Sequence, residues 1–183
     1  MATQRIDTAT TPARLLNTAL SATCVLLIVT LPAVTLFIVV FSFEVFTDGL
    51  GLSPEQSAAP VTFFQRLAIA AVALLPVALI VYALMSAWRC FRSFARGEYL
   101  SLAVVRNLRR FAAGMFLSTV AALVTTPVLT LLVTLGAGPD GHTVTANFSS
   151  TQALTLLFAG IVWQVAAVMT RAVAVAEENS QFV

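Results

Sequence analysis

Four long apolar stretches, at about 20–43, 67–88, 108–135 and 153–176, dominate the chain, and polar residues collect almost entirely between them. A helix needs about 20 mostly apolar residues to cross a bilayer, so each stretch predicts one membrane-spanning helix. No stretch alternates with a period of two for long enough to predict a sheet. The expected fold is therefore all-α, an integral membrane four-helix bundle occupying 1–183 as a single domain. Outer loops are expected at 44–66 and 136–152, with a cytoplasmic hairpin at 89–107.

Composition agrees. The 183 residues are 59% hydrophobic and only 10% charged, with a mean hydropathy of +0.94, against roughly 25% charged residues in soluble domains. The spans leave only short tails and loops, too little for a separate soluble module. The first span exceeds the 7–15 apolar residues of a cleavable leader, and Phe41-Ser42-Phe43-Glu44-Val45-Phe46 has no small-x-small site, so it reads as retained.

The position of the basic residues sets the topology. All ten are arginine. Arg5 and Arg14 precede the first span; Arg89, Arg92, Arg96, Arg106, Arg109 and Arg110 separate the second from the third; Arg171 closes the fourth. Arginine near span ends is retained on the cytoplasmic side, which predicts that both termini are cytoplasmic. Arg66 is the exception, at the outer edge of the second span, where its side chain is expected to snorkel to the headgroups. The outer loops are rich in turn formers, with an extended segment expected around Thr143-Val144-Thr145.

The spans carry internal patterns. Val29-Thr30-Leu31-Pro32-Ala33-Val34-Thr35-Leu36 matches Val124-Thr125-Thr126-Pro127-Val128-Leu129-Thr130-Leu131, and Arg92, Glu98 and Ser101 match Arg171, Glu177 and Ser180. These matches predict two helical hairpins related as parallel repeats. Pro32, Pro76 and Pro127 predict bends, with nearby threonines helping to satisfy the backbone that proline frees. Gly114, Ser118 and Ala122, continued by Thr126, Thr130 and Thr134, predict a close-packing ridge on the third span. That ridge serves the bundle interior or, alternatively, a homo-oligomer interface.

Chemistry is sparse. No nucleophile with a base, carboxylate pair, phosphate loop or metal-ligand spacing occurs, so no catalytic, cofactor-binding or metal site is assigned and an enzyme is not expected. His142 reads as a solvated loop residue, and Cys24 and Cys90 read as small apolar fillers near the inner span ends. Gln164, the most polar residue inside a span, is expected to hydrogen-bond to a neighbouring helix. The hairpin is more distinctive. Arg89, Arg92 and Arg96 share one helix face, Gly97 is placed to cap that helix, and Ser101 to begin the next, with Arg106, Arg109 and Arg110 as a second stripe. These arginines suit anionic lipid or an acidic cytoplasmic partner, and Glu177 and Glu178 of the tail are candidates to pair with Arg92, Arg96 or Arg106.

In its Gly97-Glu98-Tyr99-Leu100-Ser101 turn, in Arg106, Leu108, Arg109 and Arg110, and in the Glu178-Asn179 tail, the chain resembles a bacterial family of small four-span membrane proteins catalogued as domain of unknown function 2975. Leu100 stands where that family has an aromatic, and Ala103-Val104 where it has Glu-Asn. The resemblance covers nearly the whole chain and implies a bacterial inner-membrane location. It also implies a partner, a small helix-turn-helix regulator, with no direct contact to nucleic acid. The expected role is regulatory or accessory, and the alternative is a small transporter or channel subunit lined by the bent helices.

Overall fold

The computed structural model describes residues 10–52, 61–97, 101–134 and 148–180, with the side chains of 10–15 and 176–180 outside the described set. The long helices are α1 (Thr10–Phe41), α3 (Phe63–Ala95), α4 (Leu102–Thr134) and α5 (Ser150–Ser180), and a short α2 (Phe43–Gly49) follows α1. All four long helices are long and apolar enough to cross a membrane. The protein is an all-α, multi-pass membrane four-helix bundle. At 1.5 Å per residue the 33 residues of α4 rise about 50 Å, well beyond a hydrocarbon core of about 30 Å. The helices thus run past the apolar stretches, as the spacing of Arg89, Arg92 and Arg96 and the placement of Gly97 and Ser101 predict: within the hairpin at 89–107, residues 89–95 and 102–107 are helical. Arginine is a good helix former, so the helix continues past the lipid boundary.

Packing follows chain order. α1 lies on α3, α3 on α4 and α4 on α5. Among the described residues, α1 and α5 share at most a marginal contact. The hairpins α1–α3 and α4–α5 thus meet along the α3–α4 seam. Gly114 is buried there, and a Cβ built on it would stand 2.9 Å from the Cβ of Ala83 and 3.1 Å from its Cα. One turn further on, the Ser118 hydroxyl donates to the Pro76 carbonyl across the seam at 3.1 Å. Ala122 is half-buried on the same helix. The small-residue ridge is used inside the bundle, against α3.

The end of the bundle opposite the arginine-bearing turn is closed by α2. Val39, Leu52, Ile69, Ala70, Ala73, Leu129 and Val133 form a buried cluster on which Phe43 and Phe46 pack. The Gln65 side-chain amide donates to the Leu132 carbonyl, tying α3 to α4. Arg66 is exposed and stacks over Phe43, 5.2 Å from the ring centre. The stretch at 44–66 was expected as loop, but its first turns and last residues are helical; Phe43 and Phe46 bury one side of α2 against the bundle end.

Two expectations change. α1, α3 and α4 run through Pro32, Pro76 and Pro127, and the hydroxyls of Thr35, Thr126 and Thr130 bond to the carbonyls of Leu31, Ala122 and Pro127. Those carbonyls are not the ones at Ile28 and Leu123 that Pro32 and Pro127 release from the helix ladder. Thr35 and Thr126 thus bond to other carbonyls than those the prolines release. Gln164 is exposed and has no partner among the described residues. α5 packs on α4 through Ala159, Ala166 and Val173, all buried and seven residues apart, the spacing of a helix seam. Two residues before Ala166 means about 200° of helix rotation, which points Gln164 outward. His142 and Thr143-Val144-Thr145 lie outside the described residues.

Candidate functional site

The arginine-bearing end is built by the α3–α4 turn. α3 stays helical through Ala95, and Gly97 ends it with a left-handed φ of 83° and an N–H bonded to the Phe94 carbonyl at 3.0 Å. A side chain is strained in that conformation, which is why glycine suits the position. Ser101 then starts α4: its hydroxyl accepts from the Val104 N–H at 3.3 Å and its carbonyl from Val105 at 3.2 Å. Both capping roles match the sequence expectation. Glu98, Tyr99 and Leu100 lie outside the described residues.

All six arginines of the hairpin are exposed, but the two stripes do different things. On α3, Arg92 stacks on Trp88 with its guanidinium carbon 4.9 Å from the ring centre, and Arg96 donates to the Ser93 hydroxyl at 3.2 Å. On α4, Arg109 reaches across to α5 and stacks on Trp163, also at 4.9 Å. Beneath it Val105 is buried against Ala166 and Val173, with Leu108 and Met169 alongside. That apolar contact fixes the separation of α4 and α5, and so sets the reach of Arg109. Arg171 is exposed on the neighbouring turns of α5.

Arg106, Arg109 and Arg110 line a groove of about 410 Å³ between α4 and α5, which also touches Trp163 and Thr170. A second groove, of about 440 Å³, shares Ala113 and Trp163 with the first and is walled by Phe116, Leu117 and the small residues Ala112, Ala159 and Gly160. The two form one trough, cationic at one end and apolar along the rest. A separate crevice of about 320 Å³ lies where all four long helices converge, reached by Cys24 of α1, Cys90 of α3, Phe111 of α4 and Phe158 of α5. Its wall is almost entirely carbon and sulfur.

Buried hydroxyls elsewhere are turned onto backbone: Ser86 bonds to the Tyr82 carbonyl, Thr119 to Met115 and Thr134 to Thr130. Among the described residues no cluster of histidine, cysteine and carboxylates is arranged to hold a metal. The side chains of Glu177 and Glu178 lie outside the described set, although α5 carries both.

Sequence reasoning found the arginines and the turn but not their partner. Trp163 and the Ala159-Gly160 pair carry no local signal for this role in the sequence beyond the small residues themselves, which let helices approach closely in lipid. Comparison with known proteins finds no family model, no curated protein and no solved structure that matches this chain.

Proposed function

We propose that this is a non-enzymatic, bacterial inner-membrane protein with both termini cytoplasmic, acting as a regulatory or accessory component through its arginine-rich inner face. The observation that carries the reading is the exposure of Arg89, Arg92, Arg96, Arg106, Arg109 and Arg110 at the single end where α3 turns into α4. Six guanidinium groups held on rigid helix ends form an anion-seeking surface for anionic lipid or for the acidic side of a cytoplasmic protein. Kinship to the four-span family of unknown function that the Gly97 turn resembles belongs to this proposal, as does the small helix-turn-helix regulator it implies.

The transporter alternative gains nothing from the interior. The crevice shared by the four helices is apolar, and ion or proton paths rest on polar or ionisable groups within the spans. The deciding experiment is crosslinking and capture from native membranes, comparing the parent with R89Q/R92Q/R96Q and with R106Q/R109Q/R110Q. An accessory role requires that at least one triple variant loses a specific protein or anionic-lipid adduct. If both triples retain every adduct, the proposal fails. Orientation is tested by labelling cysteines introduced at residues 4 and 57: only the latter should react with an impermeant maleimide from outside intact cells.

A further inference from the structure

The trough between α4 and α5 has the shape and chemistry of a seat for one lipid molecule. Its mouth is made by Arg106, Arg109 and Arg110, and the Arg109 guanidinium is already held in place on the face of Trp163, 4.9 Å from its centre. From there the apolar part passes Ala113 and Trp163 to Phe116, Leu117 and Gly160. Arg106 to Leu117 is a rise of about 16 Å along the helix axis, close to the roughly 15 Å depth of one hydrocarbon leaflet, half of a 30 Å core. Basic pockets between spans at the membrane surface recognise anionic headgroups, and in a bilayer an apolar trough on the outside of a bundle is filled by acyl chain.

Small residues make the trough. A Cβ placed on Gly160 would meet nothing within 4 Å, and neighbouring Ala159 is buried against α4 with 2% exposure. The small side chains of α5 at these positions leave the floor of the trough low. Larger aromatic walls, Phe116 and Trp163, flank it.

We infer that this trough binds an anionic phospholipid of the arginine-side leaflet, with its phosphate at Arg106, Arg109 and Arg110 and one acyl chain lying against Ala113, Trp163 and Gly160. The inference rests on the proposed role of the arginine face and narrows it to one of the two stripes and one class of ligand. Arg89, Arg92 and Arg96 do not line the trough.

The chain has two tryptophans, so W88F leaves Trp163 as a reporter inside the trough. The full-length W88F protein is reconstituted into phosphatidylcholine vesicles containing increasing fractions of dibrominated phosphatidylglycerol or dibrominated phosphatidylcholine, and quenching of Trp163 is measured. Near an anionic surface each arginine is worth about fivefold in affinity. Brominated phosphatidylglycerol is expected to half-quench Trp163 at a fraction at least tenfold below that of brominated phosphatidylcholine. Adding R106Q/R109Q/R110Q should abolish the preference, while R89Q/R92Q/R96Q should keep it. G160L, where the new side chain has open space, should weaken quenching by both lipids by blocking the chain.

Equal quenching by the two lipids in the W88F protein overturns the inference. So does an equal loss with either arginine triple; that result leaves the broader proposal standing, because the whole arginine face then attracts lipid without a defined seat. Quenching by both lipids that G160L leaves undiminished also overturns it, since the chain would lie elsewhere. Helical circular dichroism of each variant in the same vesicles separates these outcomes from misfolding.

Discussion

Replacing Gly114 by alanine adds one methyl group at the tightest point between α3 and α4. That carbon would stand 2.9 Å from the Ala83 Cβ, 3.1 Å from its Cα and 3.3 Å from its backbone nitrogen, whereas carbon atoms rest at about 3.5–4.0 Å. Two of the three atoms are backbone, and Ala83 is fully buried with 0% exposure, so no side chain can swing away; the helices must separate by several tenths of an ångström. Overpacking of this kind costs about 1–3 kcal/mol. Alanine recovers about 1 kcal/mol of helix propensity over glycine, leaving a net loss of about 1 kcal/mol. For a chain of this length that lowers the melting temperature by about 2–4 °C. Both free cysteines are buried, so a thiol-reactive fluorophore added to detergent-solubilised protein reads unfolding directly. A83G removes the nearest atom, and the A83G/G114A pair should show a favourable coupling of at least 0.5 kcal/mol. A melting temperature at or above the parent's for G114A, or strict additivity in the pair, refutes the close-approach reasoning.

Three further outcomes are expected in the same melting assay. S118A removes the hydroxyl that bonds to the Pro76 carbonyl and should cost about 0.6 kcal/mol, the average for hydrogen bonds between membrane helices; no change would show that the seam is held by packing alone. S101A deletes the α4 N-cap and should cost about 1 kcal/mol, with S101D restoring most of it, a rescue that a solvent-facing serine would not show. Q164L replaces an exposed amide on the outer face of α5 with an apolar group and should leave stability unchanged or raise it. A clear fall in melting temperature would mean that Gln164 has a partner, and analytical ultracentrifugation of the detergent complex would show whether that partner is a second copy.

The four helices were legible in the chain because a run of apolar residues longer than a bilayer is thick has few other stable fates. The turn was legible for a local reason: Gly97 can adopt the left-handed conformation that ends α3, and Ser101 offers the hydroxyl that begins α4. The ridge of Gly114 and Ser118 was visible as a ridge, but not which helix it met. In lipid the outward surface is as apolar as the interior, so hydrophobic periodicity does not separate a face that packs from one that meets acyl chains. Exposed Val25, Leu26, Val29, Leu154, Leu157 and Ile161 look in sequence like core residues. For that reason the packing order α1–α3–α4–α5, the outward turn of Gln164 and the reach of Arg109 to Trp163 were decided only in three dimensions. Residues 109 and 163 are distant in the chain, and their meeting depends on Val105 seating between Ala166 and Val173. Apolar run length and capping chemistry carry the helices and their turn; the trough exists only because a buried seam fixes which sides of α4 and α5 face each other.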